Sequence, residues 1–193
     1  MTVKKKHKII FISILSALAM VVLIIAIAFL WWYGCFLPRW VEWKQVSATL
    51  EDGRYVVLKN RRLTVYEDET CKKKLWTTQA DWFVQDIVIK DLDRDGRAEL
   101  TLLVWKHGSY GKHRPFWVKK NDIDIKQHVF IYAVDSSREK GVRAMWMSSQ
   151  ITYEIESISS GKKDRLEMTD REGTIREWIW KDFGLTFATE RKK

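Results

Sequence analysis

Four carboxylates fall within nine residues near the middle of the chain, at Asp91, Asp93, Asp95 and Glu99. Side chains at the first, third and fifth places of a curling loop turn their oxygens toward one point, and Gly96 permits the sharp bend. Arg97, in seventh place, can add its backbone carbonyl oxygen, and Glu99 in ninth place closes the shell. Without a cation the four charges repel one another, and Arg94 and Arg97 offset them only in part. Hard oxygen ligands on a flexible loop suit Ca2+, whereas Mg2+ asks for a tighter octahedron and keeps more of its water. The spacing therefore points to a calcium site built from Asp91, Asp93, Asp95, Arg97 and Glu99. No nucleophile with a base lies beside it, so the expected role of the ion is structural.

Two features separate this loop from an EF-hand. The twelfth position, which should be a bidentate Glu, is Leu102, and the flanks Ile87-Val88-Ile89 and Leu100-Thr101-Leu102-Leu103-Val104 read as strands. Strand–loop–strand around D-x-D-x-D-G-x-x-E resembles the FG-GAP, or VCBS-type, repeat of integrin α-chain propellers and bacterial surface proteins. The resemblance covers residues 86–104 and implies side-chain ligation by Asp91, Asp93, Asp95 and Glu99, with a backbone oxygen from Arg97. The Phe-Gly and Gly-Ala-Pro elements that name the family are missing. The corresponding turn further on, Ser159-Ser160-Gly161-Lys162-Lys163-Asp164, keeps a single carboxylate, so one metal site is expected.

A second group of candidates lies in the long insertion at residues 105–117. Trp105, Tyr110 and Trp117 offer faces that stack on sugar rings, and His113 and Arg114 can meet phosphate or carboxylate. The segment suits an anionic wall glycan or a protein partner; alternatively, its aromatics fold back and cap the sheet. A zinc site from His107, His113 and His128 fits no familiar ligand spacing. The Trp105-Lys106 … Arg114-Pro115-Phe116-Trp117 frame is similar to an element of bacterial envelope proteins.

These residues need a β scaffold, and the sequence supplies one. Apolar or alternating runs occur at residues 55–58, 63–66, 75–78, 84–89, 100–105, 129–134, 142–147, 151–158, 165–168 and 175–180. Lys59-Asn60-Arg61-Arg62 reads as a hairpin turn, as does the segment 169–173 with Gly173. No stretch beyond residue 45 keeps a helical period for three turns. Self-similarity runs through the series, with strands ending in Tyr66 and Tyr132 followed by strands carrying Trp76 and Trp146 before small hydroxyls. The expected fold is mainly β: a small propeller-like domain of antiparallel meanders, in about two to three blade-like units.

Residues 9–33 form an apolar run whose polar side chains before the aromatic end are Ser13 and Ser16. Its 25 residues would reach ~37 Å as a helix, enough to cross a hydrocarbon core of ~30 Å. Lys4, Lys5, Lys6 and Lys8 precede it and Trp31, Trp32 and Tyr33 close it, which argues for an N-in span with an aromatic outer collar. Cleavage after Ala26-Ile27-Ala28 and lipidation at Cys35 are the alternatives. The reading divides the chain into a cytoplasmic basic tail at 1–8, a transmembrane helix at 9–33, a connector at 34–50 and an extracytoplasmic β domain at 51–193.

Of the 34 Lys and Arg, four precede the span, and all 25 acidic residues follow it, so the outer part carries 30 cations against 25 anions. That mixed surface excludes a nucleic-acid partner and admits anionic wall polymers or lipid headgroups. Cys35 and Cys71 could bridge in an oxidising exterior or stay as thiols. The expectation is a single-pass envelope protein whose calcium-stabilised domain binds a wall polymer or an envelope protein. The alternatives are an envelope hydrolase, for which no Gly-x-Ser-x-Gly or His-Glu-x-x-His frame exists, and an accessory subunit of a membrane complex.

Overall fold

The structure, a computed structural model, describes residues 3–108, 116, 119, 124–135 and 141–192. The chain divides into two units, Met1–Pro38 and Arg39–Lys193.

The first unit is a single helix, α1 (Val3–Trp32). Its segment Ile10–Trp32 is long and apolar enough to cross a membrane. Its end is built by backbone geometry. Gly34 takes φ 66°, its N–H donates to the Trp31 carbonyl (3.1 Å), and the Cys35 N–H donates to that of Leu30 (3.0 Å). This is a Schellman stop, which needs a residue tolerant of left-handed φ.

The second unit is mainly β, with three antiparallel sheets of four strands each. The first sheet takes β1 (Val46–Thr49), β2 (Tyr55–Lys59), β3 (Arg62–Tyr66) and β4 (Lys74–Thr77) in that order. The second takes β5 (Phe83–Lys90), β6 (Glu99–His107), β7 (Ile125–Val134) and β8 (Val142–Met147). The third takes β9 (Ile155–Ser160), β10 (Arg165–Asp170), β11 (Thr174–Lys181) and β12 (Gly184–Lys192).

Strand alternation places the cores. On the second sheet Val84, Ile87, Leu100, Leu102, Val104, Phe130 and Tyr132 share a buried cluster with Val56, Leu58, Leu63 and Val65 of the first sheet. Val88, Leu103, Val129 and Ile131 point the other way, into a cluster with Ile155, Ile158, Leu166 and Met168 of the third. The middle sheet is therefore buried on both faces, which is why its strands read as almost unbroken apolar runs. The outer face of the third sheet is charged, with Arg191 paired to Glu167 and Glu177, and Arg165 to Glu177.

The sequence repeat has the right period of four strands but a different frame. Its units start at β3 and β7, whereas the sheets start at β1, β5 and β9, so each unit joins two half-sheets. The shift arises at β1, which is short and only partly buried, and which lies inside the 34–50 segment read as a connector. From Trp40 onward that segment packs into the β unit. Val41 is buried, the Trp40 ring lies 5.9 Å from that of Trp105, and the Lys44 N–H donates to the Gln85 carbonyl (2.9 Å). Within residues 151–158 only the stretch from Ile155 onward is strand; Ile151 donates its N–H to the Gln127 carbonyl as the chain crosses between sheets (3.0 Å). Cys35 and Cys71 are both free and exposed.

Candidate metal centre

The acidic loop is the turn of the β5–β6 hairpin, closed by the pairs Ile89↔Leu100 and Lys90↔Glu99. Leu92 is the pin: it is buried in the second cluster, and its N–H donates to Glu99 Oε2 (2.7 Å). Around it the backbone curls in a series of Asp-capped turns. Asp91 accepts from the N–H groups of Arg94 (2.6 Å) and Gly96 (3.0 Å), Asp93 from Asp95 (3.1 Å), and Asp95 from Arg97 (2.8 Å). Arg94 and Gly96 sit at φ 67° and 86°, so the tight curl uses left-handed backbone twice, once at a glycine where it is cheap. One carboxylate oxygen from each of Asp91, Asp93, Asp95 and Glu99 lies within 4.8 Å of the others.

Glu99 is the exceptional member. It is 2% exposed, yet among the described residues its carboxylate accepts one hydrogen bond, from the Leu92 amide. Burial pushes its carboxyl up to about 7; the Leu92 amide opposes this, and Asp93, Asp91 and Asp95 add to it. A buried carboxylate aimed at three others is costly unless a cation or a proton meets it. The side chain of Arg94 is engaged outside the cluster. The Arg94 guanidinium turns to Asp164 on the β9–β10 turn (2.6 Å), and Lys90 Nζ donates to the carbonyls of Gly161 (2.6 Å) and Arg165 (3.2 Å) on the same turn. The single carboxylate kept by that turn is therefore an anchor for the loop of the middle sheet. Arg97 joins the site through its N–H to Asp95, and the gathered ligands are the four carboxylates. Such a set of hard oxygens can hold a divalent metal ion.

The aromatic candidates lie elsewhere. β6 runs from Glu99 to His107, so the 105–117 insertion leaves the sheet ~27 Å from the acidic loop. Trp105 is engaged in packing: it is 5% exposed, its Nε1–H donates to Gln85 Oε1 (2.7 Å), and its ring meets Trp40. Tyr110, His113, Arg114 and Trp117 lie outside the described residues. His107 and His128 are buried on β6 and β7, with His128 Nδ1 3.3 Å from the Ser148 carbonyl oxygen.

Sequence reasoning missed a polar network beside Trp105. A β-bulge between Val84 and Asp86 leaves Gln85 opposite no residue of β6. It turns Gln85 and Asp86 together toward the third sheet. Gln85 Oε1 accepts from Trp105 and from Gln127 Nε2 (2.9 Å), and Gln85 Nε2 donates to the Glu156 carbonyl (2.8 Å). Gln127 in turn exchanges two hydrogen bonds with the Ile155 backbone (both 2.7 Å). Asp86 accepts from the amides of Ile87 (2.8 Å) and Ile158 (3.3 Å); burial raises its carboxyl, against those bonds. The signal was present: two successive polar residues interrupting an apolar strand mark a slip in the alternation.

Fold and site thus define a mainly β domain of three antiparallel sheets with an acidic hairpin loop, in a chain that also carries an apolar helix. No protein-family model matches the chain, and neither does any curated protein.

Proposed function

We propose that the chain is a single-pass membrane protein, N-terminus in the cytoplasm, whose extracytoplasmic domain is a calcium-stabilised binding module of the cell envelope. In this reading the three meanders are blade-like units of an FG-GAP or VCBS type. Ca2+ sits among Asp91, Asp93, Asp95 and Glu99 with the Arg97 carbonyl, and the module engages a wall polymer or an envelope protein without catalysis. The observation that carries it is Glu99, a buried carboxylate that accepts one hydrogen bond among the described residues and faces three further carboxylates within 4.8 Å. Calcium is favoured over magnesium because four carboxylates and a carbonyl make a larger all-oxygen set than Mg2+, which keeps several of its waters, takes from protein. Extracellular modules bind calcium at roughly 10⁻⁴ to 10⁻³ M, which fills them outside a cell but not in cytosol.

The test is thermal unfolding of the full chain in detergent, with calcium, magnesium or chelator. Calcium at about ten times its Kd adds ~1.4 kcal/mol, or roughly 3–5 °C in Tm for a domain of this size. Asp93→Ala with Asp95→Ala should remove that shift. Equal melting in calcium and chelator would refute the assignment.

A further inference from the structure

Between the middle and third sheets, toward their end strands β8 and β12, lies a cavity of ≈270 Å³. Its walls are Trp146 on β8, Met168 on β10, Trp178 on β11, Leu185 on β12, and Tyr153 on the crossover between the sheets. Among the described residues that line it none carries a charge, although 31% of the chain is charged. Drug-sized ligands fill ~300–1,000 Å³, so a cavity of this size suits one apolar ring. A knob of that kind stands beside it. β11 turns into β12 through Asp182-Phe183, closed by the pair Lys181↔Gly184, with Asp182 at φ 53°. Glycine and small polar residues favour such a tip, yet Phe183 fills one of its two places and is 90% exposed. Neither turn chemistry nor the core accounts for it. The next residue, Gly184, lies against the Trp146 ring of the cavity wall. Phe187 meets Trp178 edge-on, with centroids 5.7 Å apart, and is still 47% exposed. Knob, cavity and apolar rim therefore share one edge of the β unit.

We propose that the cavity takes Phe183 of a second copy of this chain, so that two β units pair about a two-fold axis. Because knob and hole lie on the same edge, one rotation seats each copy's Phe183 in the other's cavity, the self-complementary geometry of an isologous dimer. The lining decides the chemistry of the occupant. An uncharged wall with three aromatic rings offers a charged polymer no counter-charge and would strip water from its phosphates or carboxylates, whereas a phenyl ring gives up only apolar surface. Among the described residues of the second unit the exposed large apolar side chains are Phe116, Met147, Phe183 and Phe187, and Phe183 is the one on a hairpin tip at this edge. Each phenyl ring buries ~150–200 Å², and the wall that it meets loses a similar area; with Phe187 at the rim, the two reciprocal insertions remove on the order of 1,000 Å² from water. That is the lower bound for a specific interface, so the dimer is a concentration-dependent one, held by one aromatic anchor in each half. The inference uses the β unit by itself and needs neither the metal nor the membrane reading.

The experiment is sedimentation of the full chain in detergent over a dilution series, joined to photo-cross-linking from a benzophenone side chain in place of that of Phe183. Wild type should pass from monomer to dimer as its concentration rises. In a mixture of light and isotope-labelled chains, the cross-link should join position 183 of one copy to residues 146–153 of the other. Phe183→Asp removes both anchors and should raise the dissociation constant on the order of a hundredfold. Thr152→Arg, at an exposed place on the cavity rim, should weaken the dimer in the same direction. Both positions are exposed, so a Tm equal to that of wild type, at a dilution where all are monomers, certifies the fold. A chain that stays monomeric throughout the series overturns the proposal. So does a dimer that survives Phe183→Asp, because its contact then lies elsewhere, on α1 for example. Cross-links that reach only detergent, or only the chain that carries the probe, overturn it as well.

Discussion

Replacing Gln85 measures how much of the packing between the second and third sheets rests on one amide. Its side chain is fully buried and makes three hydrogen bonds, to Trp105, Gln127 and the Glu156 carbonyl. Gln85→Ala orphans the Trp105 indole N–H and one Gln127 N–H in residues that are 5% and 4% exposed, while Glu156 lies where water can replace its partner. Each buried orphan costs ~1–3 kcal/mol and the vacated volume adds to it, so a loss of ~3–5 kcal/mol is expected. Against a total domain stability of ~5–15 kcal/mol, that is a large fraction.

Gln85→Glu keeps the shape and isolates the chemistry. One carboxylate oxygen can still accept from Trp105 and Gln127, but the other faces the Glu156 carbonyl unless it carries a proton. Burial and that oxygen raise the folded pKa above the unfolded value of ~4.3. Below that value both states are protonated and the variant is nearest to wild type. As pH rises toward the folded pKa the folded state holds the extra proton, so stability falls by up to ~1.4 kcal/mol per pH unit. The assay is urea unfolding of the full chain in detergent, followed by near-UV circular dichroism from pH 4 to 8, each variant read as its difference from wild type. A difference for Gln85→Glu that stays flat with pH refutes the geometry, and so does a loss below ~1 kcal/mol for Gln85→Ala.

Two further outcomes follow from contacts elsewhere. A Cβ at Gly184 would lie 2.5 Å from Trp146 Nε1 and 2.8 Å from its Cδ1, atoms of a rigid ring, so Gly184→Ala should cost ~1–3 kcal/mol; an unchanged urea midpoint would contradict this packing. Asp170 accepts from the amides of Glu172 (3.0 Å) and Thr174 (2.8 Å) and pairs with Arg176 (2.5 Å). Burial pushes its carboxyl up, but Arg176 and the two amides outweigh that and hold it below the usual range. Its contribution is therefore present above the unfolded pKa and lost as pH falls through the lower folded value. Asp170→Ala should be less stable at neutral pH and lose less than wild type on acidification below about pH 4. An acid limb parallel to wild type would count against the pairing.

What the sequence made legible follows the range of the interactions involved. β8 has the bounds read from its apolar pattern, and the β2–β3 turn lies where its polar residues placed it, because strands and two-residue turns are specified locally. The carboxylate cluster was legible for the same reason, all its donors lying within nine residues. What secures it was not. Arg94 meets Asp164 across 70 positions, and Lys90 meets Gly161 across 71, pairings that no local pattern encodes. β1 was passed over because it buries no residue fully and follows an aromatic stretch that resembles a tether. Trp105 looked like a ligand platform because periodicity cannot tell a Trp facing solvent from one whose nitrogen is met by a buried glutamine.

The position of the acidic loop has a mechanical logic. Bringing four carboxylates within 4.8 Å of one another works against folding, so the segment that carries them must be held by something strong. β5 and β6 belong to the sheet that is buried on both faces, and Leu92 extends that burial into the loop itself. A hairpin at either outer sheet would have a core behind one face only and would splay under the same repulsion. Arg94 and Lys90 then tie the loop sideways to the third sheet without placing their charges among the carboxylates. The cluster thus keeps its negative field while its backbone is fixed, a combination that could hold a metal ion.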